Sequence, residues 1–173
     1  MKIFVTIGGS GTRMKEISPV DKQFIYYREK RIIEHIFKIF PYANLLGDKK
    51  TNSRKDTLTE IAHEQDCLIV DCDIIPFGLP ELNFDGDTLF FFNSDKPKYG
   101  SILIEDSRLI AVNEKDSISK NKCSGIYFVK SMSKLLANMR DENSLASGMI
   151  GAKVIQENTF IKLGDVEDYY EAL

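Results

Sequence analysis

Residues 2–13 read KIFVTIGGSGTR. The first six, Lys2 to Ile7, are β-branched and aromatic, which predicts a short buried strand. It runs straight into Gly8-Gly9-Ser10-Gly11-Thr12-Arg13. In an open α/β sheet, ligands bind outside the carboxyl ends of the strands, where this loop would lie. Three glycines let the backbone approach a phosphate chain and turn N–H groups toward it. Arg13 adds a planar fork for phosphate oxygens. The pattern is neither GxxxxGK[ST] nor GxGxxG, so it matches neither of the two best-known phosphate loops. A simple tight turn would use the same glycines. The strand before them and the arginine after them point to phosphate. Lys22, nine residues beyond Arg13, is a second cation suited to a triphosphate and to the charge that develops as pyrophosphate leaves.

Working outward, residues 67–72 (CLIVDC) form a continuous apolar run, as expected of a strand covered on both faces. Asp73 stands directly beyond it. A carboxylate at a strand's carboxyl end, beside a phosphate loop, is where Mg²⁺ would be held, since that ion takes one or two carboxylates plus substrate phosphates. Asp71 shares that side of the chain if the strand continues, and is a second candidate. The other reading of Asp73 is a turn initiator before Ile74-Ile75-Pro76.

Further strands are expected at 88–93, 125–129, 154–155 and 160–163. Residues 101–104 and 109–112 flank a turn and read as a hairpin. Helices are expected at 29–40, with Pro41 as the stop, at 57–64 and at 132–139. Asp165 caps a last helix, with Asp168 three residues on. Strands alternating with helices predict an α/β fold with a mostly parallel, partly mixed sheet.

At 173 residues the chain is expected to be one domain, 1–173, able to fold without a disulfide or metal staple. Three cysteines, Cys67, Cys72 and Cys123, form no CxxC and read as reduced, buried thiols of a cytoplasmic protein. No run approaches the length of a membrane span, and the apolar start is too short for a signal-peptide core. The net charge of −3 argues against a nucleic-acid partner. Charge is uneven: residues 1–63 carry 12 Lys and Arg against 7 Asp and Glu, and the remainder 11 against 19. A basic first third suits a polyphosphate ligand, or is a solvated surface.

Residues 8–37 (GGSGTRMKEISPVDKQFIYYREKRIIEHIF) resemble the opening of sugar-phosphate nucleotidyltransferases. That family begins with a strand, GGxGTR, a Pro-Lys pair and a KPxIEH stretch leading into a helix. Lys30, Ile33, Glu34 and His35 match the last part, with Arg31 at the proline position. Asp21-Lys22 stands where Pro-Lys is usual. The order continues with Tyr99-Gly100, a hairpin, Glu114-Lys115, the strand Gly125-Ile126-Tyr127-Phe128 and a closing LGDVEDYYEAL. The capsule and surface-polysaccharide branch is the best match. The resemblance implies a three-layer Rossmann-like fold (nucleotide-diphospho-sugar transferase) with helices on both faces. It implies transfer of an NMP from an NTP to a sugar phosphate or similar phosphorylated acceptor, with release of pyrophosphate.

On that resemblance Gly8, Gly9, Ser10, Gly11, Thr12 and Arg13 would bind the nucleotide. Arg13, Lys22 and Asp73 would be catalytic. Asp73 would hold Mg²⁺, and Glu114, Lys115 and Gly125 would hold the acceptor, with Gly125 leaving room for its ring. A homodimer is in keeping with the family. Three departures stand out. Lys162 occupies the place of a second metal-binding Asp. The stretch from His35 to Asp73 is short, and the base-reading glycine segment has no counterpart in SRKDTLTEIA. Two alternatives remain at this point. Arg13-Met14, Asp21-Lys22 and the CDIIPF strand also resemble molybdenum-cofactor nucleotidyltransferases. A degenerate, non-catalytic binding domain that regulates a partner would share the same motifs.

Overall fold

The computed structural model describes residues 1–7, 14–15, 17–47, 51–78, 84–114 and 116–173. The glycine loop 8–13 and Lys115 therefore lie outside the described residues.

The chain begins with β1 (Lys2–Thr6). A hairpin follows, β2 (Tyr26–Tyr27) and β3 (Lys30–Arg31), turning at Arg28 with φ of 54°. It takes up the start of the expected first helix, so α1 covers Ile32–Ile39. The Glu34 carboxylate accepts from the Arg31 backbone N–H at 2.7 Å and fixes that start. Next come β4 (Asn44–Leu46) and α2 (Arg54–Thr59). The second helix begins three residues earlier than expected because Ser53 caps it, accepting from the Asp56 N–H at 3.1 Å.

The central strand β5 (Gln65–Asp71) leads through a two-residue turn into β6 (Ile74–Pro76). Then follow β7 (Thr88–Asn93), β8 (Ser101–Glu105) and β9 (Arg108–Asn113). The β8–β9 turn is Asp106-Ser107, with φ of 48° and 59°. Positive φ at both central residues is what a tight two-residue hairpin requires. The long β10 (Asn121–Ser131), α3 (Met132–Asn138), β11 (Lys153–Gln156), β12 (Phe160–Lys162) and α4 (Val166–Ala172) complete the chain.

The main sheet has the order β4-β1-β5-β10-β7-β11-β9-β8, and β8 also pairs with β10. β4, β1 and β5 are parallel, as are β7 and β11. β10 runs antiparallel to both β5 and β7, and β9 to both β11 and β8. The sheet is thus more mixed than the expected mostly parallel one. The reason is that β10 enters the middle and the hairpin closes the far edge.

Alternation along the strands separates two cores. Phe4, Cys67 and Ile69 face a layer that includes Leu58 of α2 and Leu135 and Leu136 of α3. Val5, Leu68 and Val70 face Ile32, Ile33 and Ile36 of α1, with Tyr169 and Ala172 of α4 against the same cluster. Helices therefore cover both faces. No helix among the described residues is long and apolar enough to cross a membrane.

Candidate active site

The carboxyl ends of β1 and β5 lie side by side, with Thr6 opposite Asp71 in the parallel register. The Thr6 hydroxyl donates to Asp71 Oδ1 at 2.9 Å. The Ile7 N–H, the last described group before the glycine loop, donates to the Leu46 carbonyl at 2.8 Å. The end of β1 is therefore fixed between β4 and Asp71.

β5 ends at Asp71, and Cys72-Asp73 form the turn into β6. The two carboxylates take different basic partners. Asp71 receives both terminal nitrogens of Arg54, one of them at 3.3 Å. Arg54 also lies over the Tyr127 ring, 5.5 Å from its centroid. Burial disfavours the Arg54 charge, but Asp71 and, farther out, Glu114 more than offset it and raise its pKa.

Asp73 takes a different partner. Lys22, on a short 3₁₀ turn (Lys22–Phe24), places Nζ 2.6 Å from Asp73 Oδ2. The side chains are 15% and 14% exposed. Burial alone would raise the Asp73 carboxyl. The charges of Lys22 and Lys162, with the Lys22 hydrogen bond, outweigh it and hold the group well below the usual carboxylate range. Cys72, between the two aspartates, is a buried thiol. Burial, and then the neighbouring Asp73 charge, push its thiol up to about 12.

Lys162 ends β12, which pairs with β6 in a register that sets Lys162 opposite Ile74. The next residue, Leu163, donates its N–H to the Asp73 carbonyl at 2.8 Å. Lys162 Nζ donates to the Ser124 carbonyl at 3.2 Å. Asp165 caps α4 by accepting from the Asp168 N–H at 3.0 Å, as the tail sequence predicts. Lys98 holds that helix to the β7–β8 connection, 2.8 Å from both Asp165 and Asp168. The Tyr99 hydroxyl donates to Asp168 as well.

On the β10 side, Gly125 has φ of +96°, and a Cβ there would come within 2.9 Å of Asp71 Oδ2. The strand register shifts between Cys123 and Tyr127. Backbone shape and the Asp71 approach both call for glycine here. Glu114 accepts from the buried Ser144 hydroxyl and lies against Gly100, where a Cβ would be 2.5 Å from its Oε2.

Of the expected site residues, Lys22 and Asp73 meet, Gly125 adjoins Asp71, and Glu114 is held at the same end of the sheet. Gly8, Gly9, Ser10, Gly11, Thr12, Arg13 and Lys115 are outside the described residues. Sequence reasoning missed Arg54 and Ser144. Arg54 lies in SRKDTLTEIA, but nothing in its spacing marks a carboxylate partner.

Among the described residues, no group of three His, Cys, Asp or Glu side chains gathers as a metal cage. The residues present fit an ion held by one carboxylate, Asp73, with the remaining positions filled by phosphates and water, which is a common arrangement for Mg²⁺.

No protein-family model and no curated protein matches the chain in sequence. Solved structures match its fold. A CTP:phosphocholine cytidylyltransferase from Streptococcus pneumoniae (LicC) gives a TM-score of 0.77 at 15% identity, over 98% of this chain and 96% of the other. HddC from Yersinia pseudotuberculosis gives 0.75 at 16% identity, over 99% and 97%. The inositol-1-phosphate CTP transferase from T. maritima gives 0.74 at 12% identity, over 99% and 94%. At these identities the likeness shows the fold. The chain has the nucleotide-diphospho-sugar transferase fold, in agreement with the resemblance carried by its motifs.

Proposed function

We propose that this chain is a Mg²⁺-dependent nucleotidyltransferase that moves an NMP from an NTP to a phosphorylated small-molecule acceptor and releases pyrophosphate. The Lys22–Asp73 pair carries the reading. It joins a cation and a carboxylate at the end of the sheet where GGSGTR begins. The shared fold and the order of motifs along the chain support it.

In the reaction an acceptor phosphate oxygen attacks the α-phosphorus, a P–O bond forms, and the bond from that phosphorus to the bridging oxygen breaks as pyrophosphate leaves in line. The protein's task is positioning and charge stabilisation. Gly8, Gly9, Ser10, Gly11 and Thr12 line the triphosphate. Arg13 stabilises the leaving pyrophosphate. Lys22 exchanges its Asp73 contact for phosphate oxygens. Glu114, Lys115 and Gly125 form the acceptor side. Asp73 is the residue that would hold Mg²⁺, which when bound supplies positive charge to the phosphates.

The product would be an activated precursor of the nucleotide-sugar type for polysaccharide synthesis. The protein would act in the cytoplasm, with a homodimer forming through the exposed Leu103 and Ile110 of the β8–β9 hairpin. The experiment is a pyrophosphate-release assay with each common NTP against choline phosphate, inositol 1-phosphate and hexose 1-phosphates, in wild type and Asp73→Asn. Release that requires Asp73 supports the transferase. NTP binding without release under every acceptor supports the regulatory alternative instead.

A further inference from the structure

Lys162 is a half-buried cation with no carboxylate in ion-pair contact among the described residues. Its neighbours differ in this respect. Lys22 is engaged by Asp73, Arg54 by Asp71, and Lys98 by three acidic groups of the α4 turn. Lys162 instead rests against two aromatic rings, with Nζ 5.9 Å from the Phe92 centroid and 5.3 Å from that of Tyr99. Among the described residues its ammonium donates to the Ser124 carbonyl, and an ammonium has three N–H donors. Asp73 acts on it from beyond ion-pair distance, and an arriving anion would add a charge-assisted contact.

The backbone fixes where that anion would lie. β12 is zipped to β6, and Leu163 is bonded to the Asp73 carbonyl. A Cβ placed on Gly164 would lie 3.1 Å from Asp168 Oδ2, 3.5 Å from Asp73 Oδ2 and 3.8 Å from Lys162 Cε, so Lys162 and two carboxylates border one spot. Lys162 lies on the β10 flank of β5, bonded to the Ser124 carbonyl, and the carboxyl end of β1, from which the glycine loop sets out, lies on the opposite flank. In-line transfer puts nucleophile and leaving group on opposite sides of the α-phosphorus. With pyrophosphate leaving on the glycine-loop flank, the nucleophile enters on the flank of Lys162.

We propose that Lys162 is the binding residue for the acceptor's phosphate monoester. This rests on the transferase reading above. The ammonium orients the attacking phosphate and screens its charge from Asp73, at the position where the family resemblance places a second metal-binding carboxylate.

The test is equilibrium binding of methyl phosphate, the minimal monoester, followed by phosphorus NMR. The NTPs are titrated separately by calorimetry. Variants are Lys162→Met, Lys162→Gln and Lys162→Arg, each checked for an unchanged thermal transition. The expectation is that methyl phosphate affinity falls roughly tenfold in Lys162→Met and Lys162→Gln, the loss of one charge-assisted contact. Lys162→Arg retains most of it, and NTP affinity stays within about twofold. Equal affinity for methyl phosphate in wild type and Lys162→Met would overturn the proposal. So would an equal loss of NTP affinity, which would place Lys162 on the triphosphate, or no saturable methyl phosphate binding by wild type. Failure of every NTP to bind wild type would overturn the transferase reading, while the methyl phosphate series still decides whether Lys162 holds a monoester.

Discussion

Lys22 and Asp73, 51 residues apart in sequence, meet at 2.6 Å between Nζ and Oδ2 in a largely buried ion pair. The contact ties the segment that follows the glycine loop to the turn that ends β5. Removing one partner of such a pair leaves a charge with poor solvation. Lys162 supplies part of the compensation at Asp73, so the loss is smaller than for an isolated pair. Lys22→Met is expected to cost about 1–3 kcal/mol in urea unfolding. A double-mutant cycle with Asp73→Asn should recover most of that cost. Strictly additive effects would mean that the pair is not coupled in solution.

The depressed Asp73 carboxyl has a pH consequence. Its folded pKa lies below its unfolded value, so the unfolded state takes up the proton first on acidification. The contribution is complete above the ordinary carboxylate range of about 4 and is lost as pH falls through the folded value. The stability gap between wild type and Asp73→Asn should therefore be flat from neutral pH to about 5 and shrink below about 4. A gap that keeps growing as pH falls would assign the opposite sign.

Much of this arrangement is legible in the sequence, for identifiable reasons. The strands at 2–7, 67–72 and 88–93 are dense in β-branched and aromatic residues, and burial on both faces leaves few other uses for such runs. The Asp165 cap is local chemistry between neighbours. Short pieces such as β2, β3, β4 and β6 are two or three residues long, too brief for a period, and exist because a partner strand is present. Arg54 and Asp71 likewise meet through tertiary packing. Neither shows a sequence signature of the contact, whereas Lys22 and Asp73 are marked by the motifs around them.

The Arg54–Asp71 pair braces the floor of the site. Asp71 in turn holds Thr6, the last residue of the strand feeding the glycine loop. Among the described residues, Arg54→Leu leaves the part-buried Asp71 carboxylate with the Thr6 hydroxyl as its side-chain donor and removes the contact over the Tyr127 ring. A loss of about 2–4 kcal/mol is expected in thermal or urea unfolding. Asp71→Asn in the Arg54→Leu background should restore part of it, because the uncompensated charge is gone.

Gly125 offers a cleaner backbone test. Its φ of +96° is strained for any L side chain, and a Cβ would press within 2.9 Å of Asp71 Oδ2. Gly125→Ala should destabilise by roughly 1–3 kcal/mol and displace Asp71 from Arg54. Combining it with Asp71→Ala removes the Oδ2 contact but neither the φ strain nor the approaches to Ile74 Cγ1 and the residue-71 Cβ, at 3.0 and 3.1 Å. If Gly125→Ala costs as much in the Asp71→Ala background as in wild type, the Oδ2 contact contributes nothing to the loss.

The three cysteines give a test of the core that needs no ligand. All are buried, and burial comes first among the causes that raise their thiols, to about 11 for Cys67 and about 12 for Cys72 and Cys123. The thiolate is the reactive form, so native protein near pH 8 should react with an aromatic disulfide reagent far more slowly than unfolded protein. Under denaturant all three should titrate promptly. Cys72 carries the functional weight, because it separates Asp71 from Asp73 and a reactive thiol there would invite a covalent mechanism. Cys72→Ala should keep pyrophosphate release within about twofold of wild type, since the proposed chemistry runs from phosphate oxygen to phosphorus and asks nothing of sulfur. Loss of release by orders of magnitude, with the fold intact, would instead make the thiol part of the reaction.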